Sequence, residues 1–130
     1  MADKSFGWAL AAVTLGALLT LPAFAAAADV TATPTFSKDV APIFQAKCQS
    51  CHEPGSIAPM SLATFKDARP WARSIKTRVE SRQMPPWHID RSVGVQHFKN
   101  DMALSDALVA TLVWWVDQGA PEGNPADFKA

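Results

Sequence analysis

The stretch Cys48-Gln49-Ser50-Cys51-His52 contains both cysteines of this 130-residue chain, three positions apart and followed directly by a histidine. This C-x-x-C-H pattern is the signature for covalent attachment of a haem. Two thiols at this spacing can reach two vinyl groups on one edge of a porphyrin, and the adjacent histidine can give a ring nitrogen to the iron. The motif therefore predicts one covalent haem c, bonded to Cys48 and Cys51, with His52 as an iron ligand.

The two cysteines could also serve in three other ways besides haem attachment. A disulfide between Cys48 and Cys51 is one alternative. A thioredoxin-like redox pair is another, but it needs a βαβ setting that the sequence does not indicate. A zinc site from Cys48, Cys51, His88 and His97 is the third alternative. Eight residues separate its two histidines, which is outside the usual ligand spacing.

The N-terminal residues have the order of a secretory signal. Lys4 is followed by an apolar run over residues 6–21, then by a proline and the small-residue stretch 23–28. That order is typical of a cleaved signal peptide, and a run of this length is short of the roughly 20 residues that span a bilayer. We predict a signal peptide at residues 1–25, export to the periplasm and a linker at 26–35. An uncleaved anchor is the alternative.

The segment before the cysteines has a helical period. Val40, Ile43 and Phe44 recur at helical spacing and form an apolar stripe. Asp39 can cap the free backbone N–H groups at a helix start. Pro42 then falls in the first turn, where its missing N–H costs little. We therefore predict a first helix from about Asp39 to the cysteine motif.

A second helix is predicted from Asp67 to about Arg82. Asp67 is the expected N-cap, and a proline three residues later suits the first turn. Trp71, Ile75 and Val79 are spaced by four and form one apolar face. The segment between the two helices, residues 53–62, holds two prolines and a glycine and is predicted to be a loop.

The last helix has the strongest boundary signals. Ser105 is the expected N-cap, and Gly119 is the expected C-terminal stop. The buried stripe consists of Leu108, Leu112, Trp115 and Val116. The sequence therefore predicts an all-α fold of three to four short helices with long loops, in which a central haem gives the helices a large apolar body to pack on.

The formal net charge of the chain is zero, which argues against nucleic acid as the main partner. Charge is nevertheless uneven, since residues 66–91 hold seven basic and three acidic side chains, a net charge of +4. We predict that this segment docks an acidic partner or binds the haem propionates, and a solvated helix face is the alternative. A mature chain of about 100 residues can bury only a modest core, and chains this small often rely on a cofactor.

The second axial ligand of the iron has several candidates, and the position can also stay open. They are Met60, Met84, Met102, His88 and His97. Met60 follows His52 by only eight residues, so its chain would have to round the haem edge almost fully extended. Met102 lies just before the last helix and suits core packing. Two prolines fix the backbone after Met84, as a rigid ligand loop requires, so Met84 is predicted, with His88 next.

From about residue 35 to residue 123 the chain resembles the class I cytochrome c family. The motifs are the C-x-x-C-H stretch, Met84-Pro85-Pro86-Trp87 and Trp115-Val116-Asp117-Gln118-Gly119-Ala120-Pro121, and the last two are similar to those of bacterial monohaem domains. The resemblance implies a cytochrome c-like domain over residues 36–125 with crossing terminal helices, and Met84 as distal ligand. It also implies that Phe44 packs on the C-terminal helix and that a proline carbonyl, from Pro59 or Pro54, supports His52.

The resemblance further implies one-electron transfer in the periplasm, as a free carrier or as the electron-transfer subunit of a larger oxidoreductase. Redox proteins are the expected partners, with no membrane span after signal cleavage and no catalytic residue. The alternative is a haem enzyme whose open distal position reacts with peroxide or a gas. Trp71, Trp87, Arg69 and Arg73 are candidates to line the haem or bind its propionates.

Overall fold

Three helical segments and a short terminal 3₁₀ turn make up the regular secondary structure, and no strand occurs among the residues that the structure describes. It is a computed structural model, and it describes residues 32–87, 89–90, 92–94 and 97–129. The predicted signal peptide and most of the predicted linker lie outside these ranges, as does His88. For the described residues, the predicted all-α class is confirmed.

The first helix covers residues 36–47. It consists of a π-helical turn, Phe36–Val40, followed by the α-helix Ala41–Lys47. Pro42 accounts for the wide turn, because it has no N–H to donate back along the helix and its ring crowds the carbonyl four residues earlier. The N–H groups of Val40 and Ala41 therefore donate to carbonyls five residues back, those of Thr35 and Phe36.

This helix starts three residues earlier than predicted. Thr35 is the N-cap residue, with an extended backbone, and its N–H donates to the Asp39 carboxylate at 2.7 Å. Asp39 therefore lies inside the first turn and reaches back to the residue that precedes the helix, in the manner of a capping box. The prediction of Asp39 as the N-cap is wrong for this reason.

The second helix covers residues 65–80. Its parts are the α-helix Phe65–Ala68, the 3₁₀ turn Arg69–Trp71 and the α-helix Ala72–Glu80. Thr64 is the N-cap: its hydroxyl accepts from the Asp67 N–H at 3.2 Å and donates to the Asp67 carboxylate at 2.7 Å. The prediction of Asp67 as the cap is wrong in the same way as that of Asp39.

A 3₁₀ turn around Pro70 changes which side chains of the second helix face the core. Proline cannot donate a backbone hydrogen bond, and the chain tightens there to about three residues per turn. The buried side chains of this helix are Ala68, Ala72, Ile75 and Val79. Trp71 is 43% exposed, so the prediction that it shares the face of Ile75 and Val79 is wrong. The tighter turn rotates it off that face.

The third helix, Asp106–Asp117, agrees with its prediction. The Ser105 hydroxyl accepts from the Leu108 N–H at 3.3 Å and caps the helix start. Gly119 has a φ of +88°, the left-handed conformation that ends many helices. Leu112 and Trp115 are fully buried, while Leu108 and Val116 are half-buried and pack against the same core.

Aromatic rings form the centre of the core, between the first and third helices. Phe44 meets Trp115 edge-on with ring centroids 6.3 Å apart, and Phe36 lies 6.2 Å from each of these two rings. Phe65 and Phe128 pack on Phe36 from the outside. The expected contact between Phe44 and the C-terminal helix is therefore present.

The segment that follows the third helix is fastened to the start of the first helix. The carbonyl of Pro121 accepts from the Phe36 N–H at 2.9 Å and from the indole N–H of Trp115 at 3.0 Å. Gly123 lies so close to Thr35 that a Cβ on it would stand 2.5 Å from the Thr35 Cβ. These contacts close the two ends of the described chain over the aromatic core.

Polar contacts join the second and third helices, which run antiparallel. Lys76 forms an ion pair with Asp117 at 2.5 Å. At the other end, the Arg82 guanidinium donates to the Leu104 carbonyl at 2.6 Å and pairs with Asp106. Within the described ranges, no helix is both long enough and apolar enough to cross a bilayer.

Candidate haem site

Residues 48–52 leave the first helix in a tight turn. The Cys48 N–H still donates to the Phe44 carbonyl at 2.9 Å, and the N–H groups of Cys51 and His52 both donate to the Cys48 carbonyl, at 3.1 and 3.0 Å. These bonds hold the two thiols and the imidazole within one turn of chain. Because Phe44 belongs to the aromatic core, the motif is attached directly to the most firmly packed part of the molecule.

Both cysteines are free thiols in the structure. Cys48 is half-buried and packs against the core, whereas Cys51 is exposed. Burial, with a smaller contribution from the charge of Cys51, raises the pKa of the Cys48 thiol from 9.0 to about 12. Thiol–disulfide exchange proceeds through a thiolate, so a Cys48 that stays protonated at neutral pH is poorly suited to a thioredoxin-like reaction.

The imidazole of His52 is held by one backbone hydrogen bond. Its Nδ1 lies 3.1 Å from the carbonyl oxygen of Met60. A carbonyl can only accept, so this contact places the proton on Nδ1 and leaves the lone pair of Nε2 for a metal, as in most metal-binding histidines. The loop is closed by the Leu62 N–H, which donates to the His52 carbonyl at 2.7 Å.

The residue that supports His52 is therefore Met60, and the expectations of Pro59 and Pro54 are both wrong. The bond from Leu62 to the His52 carbonyl sets where the returning chain meets the motif, and in that position the Met60 carbonyl faces the ring. The Met60 carbonyl thus lies on the same side of the site as His52. This agrees with the expectation that the short chain between them could reach the opposite side only if almost fully extended.

The Met84 loop is fixed through its backbone. The N–H groups of Gln83 and Met84 donate to the Arg78 carbonyl at 2.9 and 3.2 Å, and the Trp87 N–H donates to the Pro85 carbonyl at 2.7 Å. The peptide bond between Met84 and Pro85 is cis. The Met84 side chain is 41% exposed, so its thioether is available to a ligand although the backbone is held.

The structure does not itself bring Met84 to His52. In the described part of the chain, no hydrogen bond or ring contact joins residues 81–87 to residues 48–52. The contacts of the loop run to the second helix, to Leu104 and Asp106 at the start of the third helix, and to Phe98. Of the other axial candidates, His97 is exposed and Met102 is half-buried. His88 lies outside the described residues, so its place relative to the motif is not described.

One buried hydrogen-bond donor of this loop lacks an acceptor. The indole Nε1 of Trp87 is buried and has no hydrogen-bond acceptor among the described residues, while its ring packs edge-on against Phe98 at 6.4 Å. A buried donor without a partner costs about 1–3 kcal/mol. An acceptor carried by a bound molecule, such as a haem propionate, would remove that cost.

Three large apolar side chains of the loops are exposed. Ile57 is 88% exposed, Val93 67% and Ile89 38%, although such side chains are usually buried. The two free thiols and the oriented imidazole of residues 48–52 fit the attachment of a haem c, while the exposed Met84 thioether is not brought to them in the structure. Among the described residues, no three His, Cys, Asp or Glu side chains come together as a metal-binding group; His88 of the zinc alternative lies outside those residues.

Comparisons with protein-family models, with curated proteins and with solved structures found no match to this chain. The interpretation of the site therefore rests on its own residues. The role of the Met60 carbonyl could not be predicted from the sequence. Every residue has a carbonyl, and only the folded loop determines which one faces the His52 ring. It also missed the contact from the Ser61 hydroxyl to the Asp67 carboxylate, at 3.4 Å, which joins this loop to the second helix.

Proposed function

We propose that the chain is an exported c-type cytochrome with one covalent haem, which passes single electrons between redox proteins of the periplasm. The observation that carries the proposal is the motif Cys48-Gln49-Ser50-Cys51-His52 with two free thiols and an imidazole whose Nε2 is available. No other common site requires this combination of residues.

The roles of the residues follow from their chemistry. Cys48 and Cys51 would hold the haem through thioether bonds, His52 would bind the iron through Nε2, and Met84 would bind it from the opposite side. When bound, the haem supplies a reversible one-electron couple. Methionine as the second ligand raises the reduction potential relative to a second histidine. The proposed carrier therefore has a mid to high reduction potential.

A cytochrome c-like arrangement is part of this proposal. What supports it is the resemblance in the three motifs, together with the edge-on contact of Phe44 and Trp115 between the first and last helices. Covalent attachment suits a chain of this size, because a small domain buries too little surface to enclose a haem by packing alone.

Trp87 is proposed to orient the haem. Its buried N–H needs an acceptor, and a propionate carboxylate would supply one next to the loop that holds Met84. Trp71, which was an equal candidate, is 43% exposed and carries no such unmet hydrogen bond.

The first experiment is to extract the purified protein with acid–acetone. We expect the haem to stay with the polypeptide, and the intact mass to rise by one haem. Complete release of the haem would contradict the proposal. The mass of the N-terminal peptide tests export at the same time, since cleavage near Ala25 is expected and retention of residues 1–21 would show an anchor.

Optical spectra in both redox states separate the carrier from the haem-enzyme alternative. A six-coordinate iron with a thioether ligand is expected in both states, with no binding of carbon monoxide after reduction. A five-coordinate spectrum, or carbon monoxide binding in the unaltered protein, would favour an enzyme. Co-purification of a larger oxidoreductase would identify the chain as a bound subunit.

A further inference from the structure

The basic residues of the segment 66–91 differ in what they contact. Lys76 is bound to Asp117, and this hydrogen bond raises the pKa of the Lys76 amine. Arg82 is bound to Asp106 and to the Leu104 carbonyl. The Arg78 guanidinium donates to the Gln83 side chain. Lys76 and Arg82 are therefore paired with carboxylates, and the Arg78 guanidinium is held against the chain by a neutral side chain.

The remaining described cations of this segment are Lys66, Arg69 and Arg73. All three are exposed, and within the described ranges no ion pair joins them to a carboxylate. Arg69 and Arg73 line the same surface groove, and Lys66 precedes Arg69 by three residues, about one turn of the helix. We call these three residues the basic stripe.

Nearby carboxylates do not neutralise the basic stripe. Asp67 is the closest in sequence, and its Oδ2 accepts from the hydroxyls of both Thr64 and Ser61. Asp117 lines the same surface groove as Arg69 and Arg73, but it is bound to Lys76. The stripe therefore presents positive charge to solvent, within about 11 Å along the helix.

The basic stripe begins close to the motif. Leu62 donates its N–H to the His52 carbonyl at 2.7 Å and accepts from the Gln49 side chain at 3.2 Å. Lys66 follows Leu62 by four residues, a span of at most about 14 Å. The Ser61–Asp67 contact shortens this connection further. The stripe is thus tied to the loop that supports the proposed iron ligand.

We propose that the basic stripe of Lys66, Arg69 and Arg73 is the docking surface for an acidic redox protein. This proposal rests on the proposed electron-transfer function and names its partner class. Concentrated charge of one sign steers a partner of opposite charge, and electron-transfer partners meet through small, transient contacts. Lys76 and Arg78 are not part of the docking surface, although the sequence alone places them in the same basic segment.

The test is stopped-flow electron transfer from the haem-loaded protein to an acidic blue-copper protein, across a salt series. The variant carries Lys66→Glu, Arg69→Glu and Arg73→Glu. Its matched control carries the same charge change at three exposed lysines elsewhere, Lys38→Glu, Lys99→Glu and Lys129→Glu. We expect the stripe variant to lose about tenfold or more in rate at low salt and to lose most of the salt dependence, while the control loses much less.

Equal slowing of both variants would show that only net charge matters, and no slowing would show that the stripe does not steer; either result overturns the proposal. A changed reduction potential in Arg69→Gln/Arg73→Gln would show that these arginines bind the propionates instead. The same double variant replaces the triple one if circular dichroism shows that the triple variant is unfolded.

A neutral small-molecule oxidant separates this proposal from the proposed function. If it oxidises both variants at the rate of the unaltered protein, the electron-transfer function holds and only docking is under test. If it takes no electron from the unaltered protein, the proposed function fails. In that case calorimetric titration with the same acidic protein still tests the stripe, because binding by charge does not require electron transfer, and no difference between the stripe variant and the control would overturn it.

Discussion

The first and third helices bury Phe36, Phe44 and Trp115 against one another to 1% exposure or less, whereas the described part of the loop 84–93 leaves three large apolar side chains in solvent. They are Met84, Ile89 and Val93. The aromatic core is complete with protein atoms alone. Backbone hydrogen bonds hold the loop, while these side chains stay in contact with solvent. The comparison shows a region whose large side chains pack on one another and a loop whose large apolar side chains stay exposed.

The largest expected effect is on the proposed haem attachment at residues 48–52. The double change Cys48→Ala/Cys51→Ala removes both attachment points, and we expect complete loss of covalent haem because no other thiol exists in the chain. Acid–acetone extraction measures this directly. His97→Ala is the control, since His97 is exposed and outside the motif. Covalent haem in the double variant would contradict attachment through Cys48 and Cys51.

The next effect falls on the aromatic core. Trp115→Ala should lower the free energy of unfolding by about 3–5 kcal/mol, because it leaves a cavity beside two buried rings. It also removes the donor to the Pro121 carbonyl. Trp114 is the matched control, one residue away and 39% exposed, and Trp114→Ala should cost less than about 1 kcal/mol. Urea unfolding of the haem-loaded proteins would measure both. Equal losses would contradict a core centred on Trp115.

Met84→Ala should change the haem and leave the protein packing almost intact. We expect loss of the weak charge-transfer band of thioether-ligated ferric haem, a lower reduction potential and carbon monoxide binding after reduction. Met102→Ala is the control: Met102 is half-buried, so that change should lower stability and leave the spectrum alone. An unchanged spectrum in Met84→Ala together with a changed one in His88→Ala would reassign the ligand.

The smallest expected effect is that of Trp87→Phe on the free energy of unfolding, and its sign should depend on whether haem is attached. Trp87→Phe keeps a ring against Phe98 and deletes only the N–H. In the haem-loaded protein we expect a loss of about 0.5–1.5 kcal/mol, the usual net worth of one hydrogen bond. In the Cys48→Ala/Cys51→Ala background the same change removes a buried donor without a partner, so it should be neutral or stabilising. The same destabilisation in both backgrounds, measured by urea unfolding, would exclude a hydrogen bond to the haem.

The third helix could be predicted from sequence because its signals are local and agree with one another. Ser105 caps it, Gly119 ends it, and Leu112 and Trp115 are buried as their spacing predicts. The sequence predicts the starts of the other two helices too late. In both cases the predicted cap is an aspartate that lies in the first turn, while Thr35 and Thr64 hold the cap position. A threonine three or four residues before the aspartate was the available signal.

Other features depend on contacts that the sequence does not encode locally. The exposure of Trp71 follows from the 3₁₀ turn at Pro70, which shifts the helical phase by a fraction of a turn. The role of the Met60 carbonyl follows from the hydrogen bond between Leu62 and His52. The motif predicts which residues would hold a haem, and that stays a prediction. The carbonyl that orients His52 could be identified only from the folded loop.

The hydrogen bond between His52 and Met60 has a consequence for how the proposed iron centre responds to acidity. Many metal-binding histidines donate their second ring proton to a carboxylate, whose charge disappears when it is protonated. The acceptor here is a backbone carbonyl, which has no proton to gain in the physiological range. The electron density that this bond lends to the imidazole is therefore constant with pH. A carrier with this support would keep the same donor strength at its iron while the acidity of its compartment varies.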